Sequence, residues 1–119
     1  LFDASINKNI KFFNKMEDEF KIKNLLNEFK LTSKDLFVDS NVGDKGSRIS
    51  AGQRQRVLLI RALMRSPEML FLDEATNNLD KETEKIIYKK LNEIKKDMFI
   101  VLVSHNPSVE EIADQIISM

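Results

Sequence analysis

MLFLDE, Met69 to Glu74, sets four apolar side chains directly against two carboxylates. A short apolar run of this kind, with Pro67 before it and a polar stretch after it, reads as a buried parallel strand. The carboxylates then stand at the strand's C-terminal end, where open α/β sheets place their ligands. There Asp73 can help to hold a divalent cation, directly or through water. Glu74 can polarise a water for in-line attack on a phosphoryl group. The pair alone suits a plain strand end with a capping aspartate equally well.

Working downstream, Asp73–Asp80 is a polar loop. Asp80 caps a helix with Glu82 and Glu84 near its positive end, and Ile86, Ile87, Leu91 and Ile94 form its apolar stripe. Phe99–Val103 is a second buried strand, followed by Ser104-His105-Asn106-Pro107. His105 is the only histidine of the chain. A lone histidine is usually structural or solvated. Asp-Glu and Ser-His at matching ends of neighbouring strands instead point to one shared site, in which an imidazole can donate to a phosphate oxygen and orient a water. Ser108 and Glu111 pair as a capping box for a short helix, and Ile116–Met119 reads as the start of a third strand. Strands that alternate with helices imply an α/β fold with a parallel sheet.

Upstream the pattern is helical. Leu1–Phe13 is mixed. Glu17–Lys30 is an amphipathic helix carrying Phe20, Leu25, Leu26 and Phe29. Thr32 and Ser33 cap a short turn around Leu36 and Phe37, and Asn41–Gly46 is a loop with two glycines. Ser50 is an N-cap for a helix reaching Arg65, with Val57, Ile60, Leu63 and Met64 apolar and Pro67 ending it. The small residues Ser50-Ala51-Gly52 leave the first backbone N–H groups open to an anion. Taken alone, an ordinary capped helix explains them as well.

Composition narrows the class. The 119 residues, 42% hydrophobic and 32% charged, suit one small globular domain. Nineteen basic residues balance nineteen acidic ones, which argues against a nucleic-acid binder that works by neutralising phosphates. There is no cysteine for a disulfide or a thiolate metal site. No apolar run approaches the ~20 residues of a membrane span, and no signal peptide is visible. The opening at Leu1 rather than Met leads us to expect an excised fragment.

In combination these elements resemble the ATP-binding-cassette (ABC) family. Ile49-Ser50-Ala51-Gly52-Gln53 is similar to the family's signature, usually Leu-Ser-Gly-Gly-Gln, and Arg54-Gln55-Arg56 to its continuation. Met69–Asp73 resembles the Walker B strand, Glu74 the catalytic carboxylate, Asn77-Asn78-Leu79-Asp80 the D-loop, and His105 the switch histidine of the H-loop. Leu1–Ile10 is similar to the segment after the Q-loop in exporters. Val42-Gly43-Asp44-Lys45-Gly46 is similar to the exporter X-loop, usually Val-Gly-Glu-x-Gly, with Asp44 in place of Glu.

The resemblance implies a helical signature subdomain over 1–66 and part of a parallel-sheet P-loop NTPase core over 67–119. It implies ATP and Mg²⁺ as ligands. Ser50, Ala51, Gly52 and Gln53 would contact ATP held by a second, head-to-tail nucleotide-binding domain. Asp73 would serve Mg²⁺ through water, Glu74 the attacking water, and His105 the γ-phosphate, while Asp80 would communicate across the dimer. The transmembrane domains would meet the region around Val42–Gly46, at the cytoplasmic face of the cell membrane. No nucleic-acid partner is expected, and a peptide or bacteriocin is the expected cargo. No Gly-x-x-x-x-Gly-Lys-[Ser/Thr] occurs in the sequence. The Q-loop glutamine and the adenine-stacking aromatic are missing too. The chain alone is therefore expected to be inactive. Two alternatives from other classes are part of a soluble DNA-repair ATPase of the same superfamily and a non-catalytic interaction module.

Overall fold

A computed structural model of the chain describes residues 3–11, 19–31, 43 and 49–119. The chain divides into two compact units, Leu1–Pro67 and Glu68–Met119. The turn expected around Leu36 and Phe37 lies outside the described residues. So does the Val42–Gly46 loop except for Gly43, which is buried with φ 80°, a left-handed value that favours glycine.

The first unit is helical. Ser5 opens α1 (Ile6–Lys11) by accepting the Lys8 N–H at 3.2 Å. Ile6 and Ile10, one turn apart, are buried. Asn9 is buried beside them and donates to the carbonyls of Ala4 and Ser5, at 3.3 and 3.1 Å. This short helix falls in the segment whose pattern reads as mixed, because a polar residue shares its inner face.

α2 (Glu19–Glu28) buries Ile22, Leu25 and Leu26, with Phe29 just past its end. Phe20, expected on the apolar stripe, is 75% exposed. The i, i+3, i+4, i+7 series starts at Ile22, and Phe20 lies off that phase. The helix closes with two bonds, Lys30 N–H to the Asn27 carbonyl at 3.1 Å and Leu31 N–H to the Leu26 carbonyl at 2.8 Å. Lys30 sits at φ 56°, the left-handed position such a closure requires.

α3 (Ala51–Met64) packs against both α1 and α2 and buries Val57, Leu59, Ile60, Leu63 and Met64. The Arg56 guanidinium ties α3 to the end of α2, donating to the Phe29 carbonyl at 2.9 Å and the Lys30 carbonyl at 3.4 Å. Ser66 takes φ 46° beyond the C-cap Arg65. The following Pro67 has no N–H with which to satisfy the last carbonyls. The Ser66 N–H reaches the Leu63 carbonyl at 3.1 Å, and Lys21 Nζ adds a longer approach to it at 3.4 Å and meets the Ser66 hydroxyl at 3.0 Å.

The second unit is a β-α-β crossover. β1 (Met69–Asp73) pairs in parallel with β2 (Phe99–Val103), in register from Met69 opposite Phe99 to Asp73 opposite Val103. Phe99 N–H to the Glu68 carbonyl and Glu74 N–H to the Val103 carbonyl, both 2.9 Å, extend the ladder at either end. α4 (Lys81–Ile94) connects the strands and buries Ile87, Tyr88 and Leu91. Lys95, at its C-cap, donates to the Ile112 carbonyl at 3.0 Å and pairs with Asp114 at 2.9 Å.

Several expectations are corrected here. β1 is buried on one face only: Leu70 and Leu72 point inward, whereas Phe71 is 62% exposed and Met69 and Phe99 are exposed as well. An all-apolar run does not reveal how many faces of its strand are covered. Ile116–Met119 forms no strand, and the sheet among the described residues consists of β1 and β2. The expected Ser108–Glu111 capping box gives way to a 3₁₀ turn, Pro107–Glu111, capped by Asn106, whose side chain accepts the Ser108 N–H at 3.0 Å. Proline at the first helical position moves the cap one residue before it.

Candidate functional site

The start of α3 is built by local chemistry. Ser50 is the N-cap, with φ −65° and ψ 160°. Its hydroxyl accepts the Gln53 N–H at 3.1 Å, and the Gln53 side-chain carbonyl accepts the Ser50 N–H at 2.8 Å. This is a full capping box, which gives Gln53 a structural part at the helix start. The first intrahelical bond runs from Arg54 N–H to the Ser50 carbonyl at 2.9 Å. The N–H groups of Ala51 and Gly52 lie ahead of it, at the positive end of a helix of 14 residues. Ala51 is exposed and Gly52 partly so. Arg56, the last residue of the signature's continuation, turns back along the helix. Its Nε donates to the Gly52 carbonyl at 3.2 Å. Further along, burial and then the like charge of Arg65 hold the Arg61 guanidinium below its ordinary pKa.

In the second unit the paired strands end together. Asp73, the last residue of β1, is exposed. Glu74 follows in the left-handed region at φ 51°, where a residue with a side chain carries strain. Its N–H is held by the Val103 carbonyl, and its own carbonyl accepts the Asn77 N–H at 3.3 Å. The kink sends the carboxylate toward the exit of β2. There Glu74 Oε1 lies 3.2 Å from His105 Nε2. The histidine ring is 97% exposed and the Glu74 side chain mostly covered. Ser104 fixes the exit loop, its hydroxyl accepting the Asn106 N–H at 3.0 Å.

Asp80 stands at the N-cap of α4 with φ −69° and ψ 160°, yet its side chain makes no capping bond. The expected cap is thus present in backbone form only, and the carboxylate faces outward. One feature of this loop has no counterpart in the sequence pattern. The Thr76 hydroxyl is buried and hydrogen-bonded to the Tyr88 hydroxyl at 3.0 Å. Among the described residues no three His, Cys, Asp or Glu side chains cluster into a metal cage. One carboxylate such as Asp73 suits Mg²⁺, which completes its shell with water and substrate phosphates.

A parallel crossover carrying Asp-Glu at one strand exit and Ser-His at the next belongs to part of a P-loop NTPase fold. The family model described as ABC transporter matches residues 2–77, more than half of the chain. The ATP-dependent lipid A-core flippase of Aliivibrio fischeri is 39% identical over 106 residues, covering 89% of this chain and 15% of that protein. The flippase of the same name from Vibrio parahaemolyticus is 36% identical, with 98% and 21% covered. Multidrug resistance protein 4 of Entamoeba histolytica is 47% identical over 75 residues, which is 63% of this chain and 6% of that one. The solved structure of a bacterial Atm1-family ABC exporter with ATP bound superposes with a TM-score of 0.85 at 24% identity, over 96% of this chain and 21% of that chain. At that identity the likeness speaks for the fold. The chain belongs to the ABC transporter family, and it corresponds to part of an exporter-type ATP-binding domain. Among the described residues no helix is long and apolar enough to cross a membrane.

Proposed function

We propose that the chain supplies the signature helix and the hydrolytic strand ends of an ABC exporter that drives transport with ATP. The observation that carries this reading is the approach of Glu74 to His105 at 3.2 Å, directly beyond Asp73. Glu74 takes the proton of the attacking water. His105, with its ring open to solvent, donates to a γ-phosphate oxygen and keeps the water in line. Asp73 would help to hold Mg²⁺, which, when bound, would supply neutralisation of charge on the phosphates. Ser50 and the N–H groups of Ala51 and Gly52 present donors to the γ-phosphate bound by a second, head-to-tail domain. Gln53 keeps that helix start in shape, and Asp80 faces the dimer partner.

Val42–Gly46 meets the transmembrane domains, which place this domain at the cytoplasmic face of the membrane. The cargo is an amphiphilic lipid, the class supported by the lipid A-core flippases among the relatives. These relatives lend no support to the peptide or bacteriocin suggested by the sequence. By itself the chain is inactive, because positioning supplies most phosphoryl-transfer catalysis and no P-loop is present to provide it.

The test is Glu74→Gln in the full-length transporter. ATP binding stays intact while hydrolysis falls by about a hundredfold or more. Unimpaired hydrolysis would remove Glu74 from the mechanism and this reading with it. Phosphate release by the chain alone would refute the account of its inactivity.

A further inference from the structure

Between Glu74 and Asp80 the chain makes two tight turns, closed by Asn77 N–H to the Glu74 carbonyl at 3.3 Å and Leu79 N–H to the Thr76 carbonyl at 3.2 Å. Both lie at the long end of the ordinary range, and Asn77 and Asn78 are exposed. The buried residue of the segment is Thr76. Thr76 is 3% exposed, and its hydroxyl meets the Tyr88 hydroxyl at 3.0 Å. Tyr88 is itself buried, two turns into α4, on the same helix that Asp80 begins.

We propose that Tyr88, acting through Thr76, is a positioning residue that sets Glu74 and Asp80 together. The inference rests on Glu74 being the catalytic carboxylate. Glu74 is gripped on its N-terminal side by the Val103 carbonyl, and Thr76 grips the chain two residues later. A residue strained at φ 51° keeps that conformation only when its surroundings over-determine it. Without the second grip, the left-handed kink relaxes and the carboxylate leaves the His105 ring. Four residues beyond Thr76, Asp80 opens the helix that carries Tyr88, so one buried bond links the hydrolytic residue to the residue facing the dimer. A buried hydroxyl pair of this kind is also directional: loss of either partner leaves the other without its mate in a dry site.

Steady-state ATP hydrolysis by the full-length transporter tests the proposal, with Tyr88→Phe, Thr76→Val, the double variant and Thr76→Ser. Tyr88→Phe and Thr76→Val each lower kcat by about five- to tenfold, the scale of one hydrogen bond. KM for ATP stays within about twofold, since the phosphate contacts are untouched. The double variant falls no further than either single one, because both remove the same bond. Thr76→Ser, which keeps the hydroxyl, retains the parental kcat. In Tyr88→Phe the amides of Asn77 and Leu79 exchange hydrogen faster than in the parent. A parental kcat in Tyr88→Phe, or losses that multiply in the double variant, overturns the proposal. If Tyr88→Phe does not accumulate as folded protein, the contrast between Thr76→Val and Thr76→Ser decides alone, and equal activities reject it. The two readings fail separately. Undiminished hydrolysis by Glu74→Gln removes the functional reading. An inactive Glu74→Gln beside a parental Tyr88→Phe removes only the positioning role.

Discussion

Glu74 Oε1 and His105 Nε2 stand 3.2 Å apart although 31 positions separate the residues in sequence. The parallel register makes this contact. Asp73 lies opposite Val103, so the residues following each strand leave the sheet side by side. The ring meets solvent on nearly all sides and contributes little to packing. His105→Ala in the full-length transporter therefore lowers ATP hydrolysis by about a hundredfold or more, while stability changes by less than about 0.5 kcal/mol. Parallel ATPase and thermal-unfolding measurements check both halves. A large drop in stability would make the histidine structural.

Glu74 carries backbone strain beside its proposed chemistry, and the two can be separated. A left-handed backbone costs a residue with a Cβ about 1–2 kcal/mol, and glycine is spared most of that cost. Neither Glu74→Gly nor Glu74→Ala retains a carboxylate, so both abolish hydrolysis. The glycine variant is nevertheless the more stable of the two, by about 1 kcal/mol. Urea unfolding of the pair measures the difference, and the opposite order would mean that φ 51° is not held in solution.

Arg56 follows the signature-like stretch, and its guanidinium both bonds back to the Gly52 carbonyl and reaches the end of α2. Arg56→Ala leaves the Phe29 carbonyl without its charged donor and costs about 2 kcal/mol, within the range for hydrogen bonds to ionised groups. Arg56→Lys recovers only part, since an ammonium lacks the guanidinium fork. Denaturation midpoints of the three proteins provide the comparison. Indistinguishable midpoints would show that the tie between α2 and α3 contributes nothing.

What could be read from the sequence was local or periodic. Ser50 caps its helix through neighbouring atoms, and α3 and α4 declare themselves by spacing. The strand exits were legible because two apolar runs each end in chemistry-bearing residues. The remainder depends on packing. Thr76 looks like one polar residue among several in a polar loop, and only the approach of Tyr88 explains its burial. Met69 and Phe71 look like core, yet coverage of a strand's second face is decided elsewhere in the chain. Phe20 was separable in principle, because Ile22, Leu25, Leu26 and Phe29 already complete a helical stripe without it.

The last prediction turns on what the Ser50 hydroxyl has left to give. Its oxygen accepts the Gln53 N–H at 3.1 Å, which stabilises the start of α3. A hydroxyl that accepts one bond still carries a hydrogen to donate. The cap therefore aims the O–H instead of competing with an anion for it. Ser50→Ala removes both functions: it costs about 1 kcal/mol of stability as a lost cap and weakens hydrolysis in the full-length transporter. Ser50→Asp separates them. Aspartate caps as well as serine, so stability is unchanged within about 0.5 kcal/mol. It has no proton to offer, however, and sets a like charge against the phosphate. Hydrolysis then falls further than in Ser50→Ala, despite the sounder helix. Ser50→Thr, with both cap and hydroxyl, keeps most of the activity. Thermal unfolding and ATPase rates across the series give the answer. If activity tracks stability through all three variants, Ser50 is a helix cap and nothing more.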